Sequence, residues 1–105
     1  MAVIHINEQS FEKLQNSGKL FLVNYWAPWC VYCRRIAPAY EKIAQQFGEQ
    51  LVVTKVNIDD EPALATKERI EVIPTLVLYK GNEALGSVVA PESKAAIEEF
   101  IRELM

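Results

Sequence analysis

The apolar residues of the chain fall into blocks whose spacing predicts nine elements in the order β-α-β-α-β-α-β-β-α. Residues 2–6 are a short strand candidate, and Asn7 is placed to cap a helix that ends near Gly18. The run Leu20–Trp26 is almost continuously apolar, which is typical of a central strand covered on both faces. Residues 30–47 then carry apolar side chains at helical intervals, which predicts a long second helix.

The second half of the chain begins with a strand candidate at residues 51–58, followed by a short helix for which Asp59 or Asp60 is the expected cap. Two further strands, Thr75–Lys80 and Glu83–Val89, are separated by a Gly-Asn dipeptide. A two-residue loop with glycine first favours a type II′ hairpin, so these strands are expected to be antiparallel. A terminal helix carries an apolar stripe at Ile97, Phe100, Ile101 and Leu104.

This order of elements predicts a three-layer α/β domain with a mixed sheet, because parallel neighbours need helical crossovers. The 105 residues suit a single domain over residues 1–105, and no repeat or linker interrupts them. Half of the residues are hydrophobic and 24% are charged, which is the composition of an ordinary globular protein.

Composition and charge exclude several classes of function. The chain has no run of 18 apolar residues, so no membrane span is expected, and its first residues lack the pattern of a secretory signal, which favours a cytoplasmic protein. The net charge is −3 with scattered basic residues, which argues against nucleic acid or a membrane surface as a partner. Because His5 is the only histidine, no metal site is expected.

The chemistry is predicted to lie in the two cysteines, Cys30 and Cys33, at the start of the helix that follows the central strand. Backbone N–H groups at a helix start lack internal partners, and their partial positive charge stabilises a thiolate. Cys30 should therefore have a lowered pKa and act as the nucleophile. Cys33 lies one turn further on and could attack a mixed disulfide, so that the pair alternates between dithiol and disulfide.

The cysteine pair is also compatible with two roles that involve no redox chemistry. A structural zinc site needs four ligands, and apart from the two cysteines only the distant His5 could contribute a histidine nitrogen. Two chains could still share a metal through four cysteines. Buried, inert thiols are the second such role, although the start of a helix beside a tryptophan is an unusual place for them.

Four motifs resemble the thioredoxin family, in the family's order and over nearly the whole chain. They are Phe-Leu-Val-Asn-Tyr-Trp-Ala-Pro-Trp-Cys at residues 21–30, Ile-Ala-Pro at 36–38, Lys-Val-Asn-Ile-Asp at 55–59 and Val-Ile-Pro-Thr at 72–75. The resemblance implies the thioredoxin fold, a five-stranded mixed sheet flanked by four helices. It also implies thiol–disulfide oxidoreductase activity.

The resemblance implies roles for individual residues. Cys30 would attack the substrate disulfide and Cys33 would resolve the intermediate. Trp29 would cover the site, the alternative being a merely buried aromatic. Pro74 would follow a cis peptide bond, and the backbone of Ile73 would pair with an extended substrate segment, a form of β-strand addition. Two further residues, Ile58 and Ala90, are expected on the same substrate-binding surface.

Asn24 and Lys55 mark one departure from the family pattern. Asn24 stands where the family normally has a buried aspartate that manages the proton of the resolving cysteine, and an amide cannot titrate. A hydrogen-bonded buried amide is the favoured interpretation, with slower resolution of mixed disulfides as its consequence. Lys55 would normally pair with that missing acid; it lies either beneath the cysteines, where its charge would favour a thiolate, or at a solvated strand edge.

Val31 and Tyr32 replace the usual Gly-Pro between the cysteines. Unlike proline, Tyr32 has a backbone N–H free to point toward the sulfur of Cys30, which would stabilise the thiolate and make the protein less reducing than Gly-Pro thioredoxins. The tyrosine ring is expected either to contact substrate or simply to be exposed. Arg34 and Arg35 could also favour the thiolate or face solvent.

The low glycine content is a second departure, because the chain has only four glycines. Val31, Arg69, Val72 and Ala90 stand where many thioredoxins carry glycine, and by resemblance all four positions surround the active-site face. Side chains there should stiffen the loops and narrow the groove that receives the substrate backbone.

The sequence therefore predicts a monomeric thioredoxin-like protein that reduces or exchanges disulfides in protein substrates, with a place in electron transport and cell redox homeostasis. No cofactor is expected to be bound. Electrons would come from a flavoprotein of the thioredoxin-reductase type, which the resemblance implies. The alternatives are glutaredoxin-like or isomerase-like exchange at a less reducing potential, and a binding module with weakened catalysis.

Overall fold

The computed structural model describes residues 2–105 and contains the nine elements in the predicted order. They are β1 (Ile4–His5), α1 (Glu8–Ser17), β2 (Leu20–Trp26), α2 (Val31–Phe47), β3 (Val52–Asn57), α3 (Pro62–Lys67), β4 (Thr75–Lys80), β5 (Glu83–Val89) and α4 (Lys94–Leu104). None of the helices in this part of the chain is long and apolar enough to cross a membrane.

The five strands form one mixed sheet in the order β1-β3-β2-β4-β5. β3 pairs in parallel with both β1 and β2, whereas β4 is antiparallel to β2 and to β5. β2 is the middle strand, as its apolar run predicts. The hairpin between β4 and β5 is confirmed: Lys80 pairs with Glu83, and Gly81 has a φ of 57°, which glycine adopts without steric cost.

Helices cover both faces of the sheet, which confirms the three-layer α/β architecture. On one face, α2 and α4 bury residues such as Ile43 and Ile97 against Leu22 and Leu76 of the sheet. On the other face, α1 and α3 bury an aromatic-rich cluster that includes Phe11, Phe21, Val56, Leu64 and Tyr79. Each such side chain contributes about 1.5–3 kcal/mol when fully removed from water, so the two clusters hold the strand ends in fixed positions.

Three tyrosine hydroxyls lie inside the molecule and all have partners. The Tyr25 hydroxyl lies 2.7 Å from that of Tyr79, which in turn donates to Glu68 Oε1 at 2.8 Å. Tyr40 donates to the backbone oxygen of Thr54 at 2.6 Å. Burial raises the pKa of all three phenols above the ordinary value, since an ionised phenol would lose its hydration.

The helix starts confirm one predicted cap and correct another. Asn7 caps α1 by accepting a hydrogen bond from Ser10 N at 2.9 Å. The prediction that Asp59 or Asp60 caps α3 is wrong, because both lie in the turn after β3 and the residue at the cap position is Glu61. The Glu61 carboxylate instead accepts from Glu8 N at 2.8 Å and so ties the start of α1 to that of α3.

Candidate active site

Cys30 and Cys33 form a disulfide where the chain leaves β2 and enters α2. Cys30 is the N-cap residue of α2, and the Cα atoms of the two cysteines lie 5.2 Å apart, so one helical turn brings the sulfurs together. Cys30 is 9% exposed and Cys33 3%. The first cysteine is therefore the more accessible of the two.

The Cys30 sulfur accepts a hydrogen bond from Cys33 N at 3.2 Å. In this oxidised form the donor is thus the third helical residue, whereas the sequence prediction assigned the contact to the N–H of Tyr32. An N-cap side chain can accept from the N–H of the second or the third helical residue, and here it accepts from the third. The same geometry places the unpaired N–H groups of the first turn around Cys30.

Trp29 lies at the surface beside the disulfide rather than in the core. Its side chain is 64% exposed, and its indole Nε1 donates to Asp59 Oδ2 at 3.0 Å and to Oδ1 at 3.2 Å. The alternative of a merely buried aromatic is therefore wrong. Asp59 was not predicted from the sequence as the group that orients the indole, because an aspartate after a strand is equally typical of a helix cap.

The expectation that the Tyr32 ring is simply exposed is wrong. Tyr32 is half-buried and packs against the core under α2, and its hydroxyl donates to the backbone oxygen of Pro91 at 3.1 Å. The guanidinium carbon of Arg35 lies 5.8 Å from the centre of the ring. Both Arg35 and its neighbour Arg34 are exposed.

Asn24 is buried on β2, on the face of the sheet that α2 and α4 cover, and is only 1% exposed. Its Oδ1 atom has no hydrogen-bond partner among the residues that the structure describes, so the predicted hydrogen-bonded amide is not satisfied at that atom. Lys55 lies directly opposite on β3 and is half-buried. Its Nζ lies 4.7 Å from the centre of the Trp26 ring, and β1 covers the outer side of β3, so Lys55 is not at a sheet edge.

The peptide bond between Ile73 and Pro74 is cis, as the resemblance implies. Ala90 N donates to the carbonyl oxygen of Pro74 at 2.9 Å and so joins the end of β5 to the loop before β4. Ile73 is half-buried and accessible beside this link. Ile58, by contrast, packs against the aromatic-rich cluster under α1 and α3 and is half-buried there.

Two residues at the expected glycine positions adopt a left-handed backbone. Arg69 has a φ of 59° and Ala90 a φ of 46°, which are conformations that glycine adopts more readily than residues with a side chain. The other two, Val31 and Val72, are exposed apolar residues, at 61% and 53%. Val89, which precedes Ala90, is also exposed, and it was not predicted as part of the site because it ends a strand.

Comparison with known proteins identifies the family. The family model described as Thioredoxin matches residues 2–103. The chain belongs to the thioredoxin family. Curated relatives include the thioredoxin of Buchnera aphidicola, 37% identical over 102 residues that cover 96% of this chain and 94% of that protein. The thioredoxin of Porphyra purpurea is 33% identical over 102 residues, 96% of this chain and 95% of its own. Thioredoxin 1 of Nostoc sp. is 35% identical over 101 residues, 95% and 94% of the two chains.

As a thioredoxin family member with a cysteine pair at a helix start, the protein is a thiol–disulfide oxidoreductase that acts on protein disulfides. The implied fold, a five-stranded mixed sheet flanked by four helices, is confirmed. Within residues 2–105, no group of three or more His, Cys, Asp or Glu side chains is placed to hold a metal ion.

Proposed function

We propose that Cys30 is the nucleophile of this oxidoreductase and that Cys33 is the resolving cysteine. The observation that carries the assignment is the position of Cys30 at the N-cap of α2, where its sulfur accepts an N–H hydrogen bond and is the more accessible of the pair. Helix-start N–H groups stabilise a thiolate, and the thiolate is the attacking form.

The reaction takes place in two exchanges. The Cys30 thiolate attacks one sulfur of a substrate disulfide, forming a mixed disulfide and releasing one substrate thiolate. Cys33, after losing its proton, attacks the Cys30 sulfur; the mixed disulfide breaks, a second substrate thiolate leaves and the Cys30–Cys33 disulfide forms. The substrate gains two electrons and the protein loses two.

The substrate-binding surface consists of the apolar and backbone groups around the disulfide. We assign to it Trp29 and Val31, which flank Cys30 in the chain, together with Ile73, Pro74 and Ala90, of which Ala90 and Pro74 are joined by a hydrogen bond. An extended substrate segment would pair with the backbone of Ile73 while the exposed apolar side chains contact its residues. Ile58 follows β3, next to Asp59, whose carboxylate accepts from the Trp29 indole, and we assign its half-buried side chain to the same surface.

A reductant must return two electrons to the Cys30–Cys33 disulfide for turnover. We assign this role to a flavoprotein of the thioredoxin-reductase type. We further propose that the protein is a monomeric, cytoplasmic carrier in electron transport and cell redox homeostasis. The protein itself needs no bound cofactor, because the two sulfurs carry the electrons. Its partners are accordingly the reductase and proteins that contain disulfides.

Two cysteine variants test the assignment in the reduction of insulin by dithiothreitol. Cys30→Ser should abolish the acceleration of insulin precipitation. Cys33→Ser, the matched variant one helical turn away, keeps the nucleophile and should accumulate a mixed disulfide with the substrate, detectable by mass spectrometry under non-reducing conditions. Accumulation in Cys30→Ser instead of Cys33→Ser would reverse the two roles.

Two observations favour a second candidate function, disulfide exchange at a less reducing potential. Tyr32 supplies a backbone N–H that proline would lack, and Asn24 supplies no titrating group near the strand end. An exchange enzyme would isomerise scrambled disulfides in a glutathione buffer without a reductase. A binding module with weakened catalysis would neither isomerise scrambled disulfides nor reduce insulin. Its activity in the insulin assay would match that of Cys30→Ser.

A further inference from the structure

Two hydrogen bonds tie together the three chain segments that surround the disulfide. Ala90 N donates to the Pro74 carbonyl at 2.9 Å, which links the end of β5 to the loop before β4. The Tyr32 hydroxyl donates to the Pro91 carbonyl at 3.1 Å, which links the first turn of α2 to that same end of β5. The two bonds use adjacent residues, so one continuous connection runs from the cysteine helix to Pro74.

Tyr32 is held at both ends of its side chain. Its ring is half-buried against the core, and the guanidinium of Arg35 lies over it, which fixes the direction of the ring. Pro91 is buried, so its carbonyl needs a donor from within the protein, and the tyrosine hydroxyl provides one. Tyr32 therefore constrains the position of Pro91 relative to the cysteines.

The segment that Tyr32 holds, residues 89–91, is bonded to the loop of Pro74 and forms one wall of the proposed substrate-binding surface. Val89 is exposed at this wall and Ala90 has the left-handed φ of 46°, so the wall carries side chains where glycine would leave space. Val31 is exposed on the other side of Tyr32. The bond from Tyr32 to Pro91 connects the chain beside Val31 to the chain beside Val89.

We propose that Tyr32 is a specificity-determining residue, whose hydroxyl fixes the wall formed by Val89, Ala90 and Pro91. The inference rests on the proposed function, because it concerns how the same groove selects its substrates. The fixed wall favours extended polypeptide segments with apolar residues next to the disulfide, and it disfavours small disulfides that do not reach the wall. Tyr32 acts by positioning the groove, not by touching the reacting sulfurs.

Preorganisation explains why one hydroxyl affects binding. A wall already in place does not have to be ordered when substrate arrives, so less binding free energy is lost. Without the hydroxyl, the buried carbonyl of Pro91 lacks its donor and the wall is free to move away from α2. An interaction that stabilises the bound substrate and the transition state equally lowers KM and leaves kcat unchanged. Loss of the Tyr32 hydroxyl should therefore raise KM more than it lowers kcat.

Tyr32→Phe tests the proposal because it keeps the ring and the backbone N–H. For reduction of insulin we expect KM to rise about 3- to 10-fold, the range of one ordinary hydrogen bond, while kcat stays within about twofold. The preference for insulin over hydroxyethyl disulfide, measured as the ratio of the two kcat/KM values, should fall by the same factor. Equal losses for both substrates, or an unchanged KM for insulin, would overturn the proposal.

Two further measurements separate positioning from general destabilisation. Tyr25→Phe is the matched control, because it removes a buried hydroxyl on the opposite face of the sheet and should leave the substrate preference unchanged. Hydrogen exchange of the Ala90 amide, which bonds to Pro74, should become faster in Tyr32→Phe and stay unchanged in Tyr25→Phe. An Ala90 amide equally protected in both variants would contradict the connection.

Failure of the proposed function would give different results from failure of the role proposed for Tyr32. If Cys33→Ser traps no mixed disulfide and wild-type protein does not reduce insulin, the assignment of the cysteines is at fault. If wild-type protein is active and traps substrate normally but Tyr32→Phe keeps its substrate preference, only the role of Tyr32 is refuted.

Discussion

Asn24 and Lys55 face each other across β2 and β3 without bonding to each other. Their Cα atoms are register partners, yet Asn24 Oδ1 has no hydrogen-bond partner in residues 2–105, and the Lys55 ammonium lies over the Trp26 ring instead. A cation over an indole face gains electrostatic attraction without a counter-ion. The site therefore has a buried amide with an unsatisfied oxygen beside a positive charge.

Asn24→Asp should accelerate the resolution of mixed disulfides. A carboxylate at this position could accept the proton of Cys33, and a positioned base contributes about 10²- to 10⁴-fold to such a step. The decay of a preformed mixed disulfide, followed by stopped flow at neutral pH, measures the effect. The rate in the variant should also gain a pH dependence from the buried carboxyl, whose pKa burial raises.

Asn24→Leu is the control for that variant, since leucine has the same branched arrangement of four heavy side-chain atoms and no titrating group. It should resolve no faster than wild type. The Asn24→Asp protein should also lose stability as the pH rises above about 4. In the unfolded chain the new carboxyl ionises near this pH, whereas burial keeps it neutral in the folded protein. An Asp variant with wild-type resolution rates at every pH would refute the role of the missing base.

The dipeptide between the cysteines should make the protein less reducing than its Gly-Pro counterpart. Replacing Val31 by glycine and Tyr32 by proline leaves the bond from Cys33 N but removes one unpaired N–H from the first turn of α2, so less positive partial charge stabilises the thiolate of Cys30. We expect the equilibrium with glutathione to shift toward the disulfide by about tenfold, which corresponds to about 30 mV. Thiol quantification across glutathione buffers gives the value directly.

Tyr32→Phe distinguishes the amide from the hydroxyl in that measurement. It retains the backbone N–H and should therefore remain much closer to the wild-type potential than the Gly-Pro variant does. A Gly-Pro variant that is equally or more oxidising than wild type would contradict the explanation by the amide.

Ala90→Gly should stabilise the protein. A side chain in the left-handed region costs about 1–2 kcal/mol, whereas glycine loses about 0.5–1 kcal/mol through its freer unfolded chain, so the net gain is about 0.5–1 kcal/mol. The midpoint of urea unfolding measures the gain. The same substitution should loosen the groove, so KM for insulin is expected to rise despite the higher stability.

Gly18 provides the reverse experiment at a site with free space. It has a φ of 72°, and no heavy atom lies within 4 Å of the Cβ that alanine would add. Gly18→Ala therefore measures the cost of the left-handed backbone alone and should destabilise by a similar amount. If both substitutions change stability in the same direction, backbone conformation does not account for the effect at Ala90.

The free energy of unfolding should fall steeply above about pH 10. Tyr25, Tyr40 and Tyr79 have raised pKa values in the folded protein, so they stay protonated while the unfolded chain ionises. Their contribution is fully present below about pH 10 and is lost as the pH rises, by about 1.4 kcal/mol per pH unit for each tyrosine. Urea unfolding at a series of alkaline pH values measures the slope.

The double variant Tyr25→Phe with Tyr79→Phe should reduce that slope by about two thirds, since one of the three buried phenols remains. Tyr40→Phe, which also removes a donor to the backbone oxygen of Thr54, should reduce it by about one third. A double variant with the wild-type slope would exclude these phenols as its cause.

Local patterns predicted most of the fold. The bounds of Leu20–Trp26, Thr75–Lys80 and Glu83–Val89 match β2, β4 and β5, because long apolar runs and a Gly-Asn turn are decided by neighbouring residues. The disulfide between Cys30 and Cys33 was equally predictable, because a spacing of three residues at a helix start brings the two sulfurs within bonding distance. Such features need no knowledge of the distant parts of the chain.

Contacts between distant residues could not be predicted in the same way. Tyr32 reaches Pro91 across 59 positions and Trp29 reaches Asp59 across 30, and no local pattern indicates either pair. The cap of α3 was misplaced for a similar reason, because the turn after β3 uses Asp59 and Asp60 before the helix begins. The sequence located the site, while the tertiary structure decides the partners within it.

The paired hydroxyls of Tyr25 and Tyr79 restrict how this core can evolve. Losing the Tyr79 hydroxyl leaves that of Tyr25 buried without a partner, at a cost of about 1–3 kcal/mol, whereas losing the Tyr25 hydroxyl leaves Tyr79 its bond to Glu68. Loss of the Tyr79 hydroxyl should therefore be accepted only where the Tyr25 hydroxyl has already been lost, whereas loss of the Tyr25 hydroxyl alone costs less. Glu68, at the end of α3, accepts the hydrogen bond from Tyr79 and is therefore part of the same constraint. Substitutions of Glu68 are thus coupled to substitutions of the buried tyrosines.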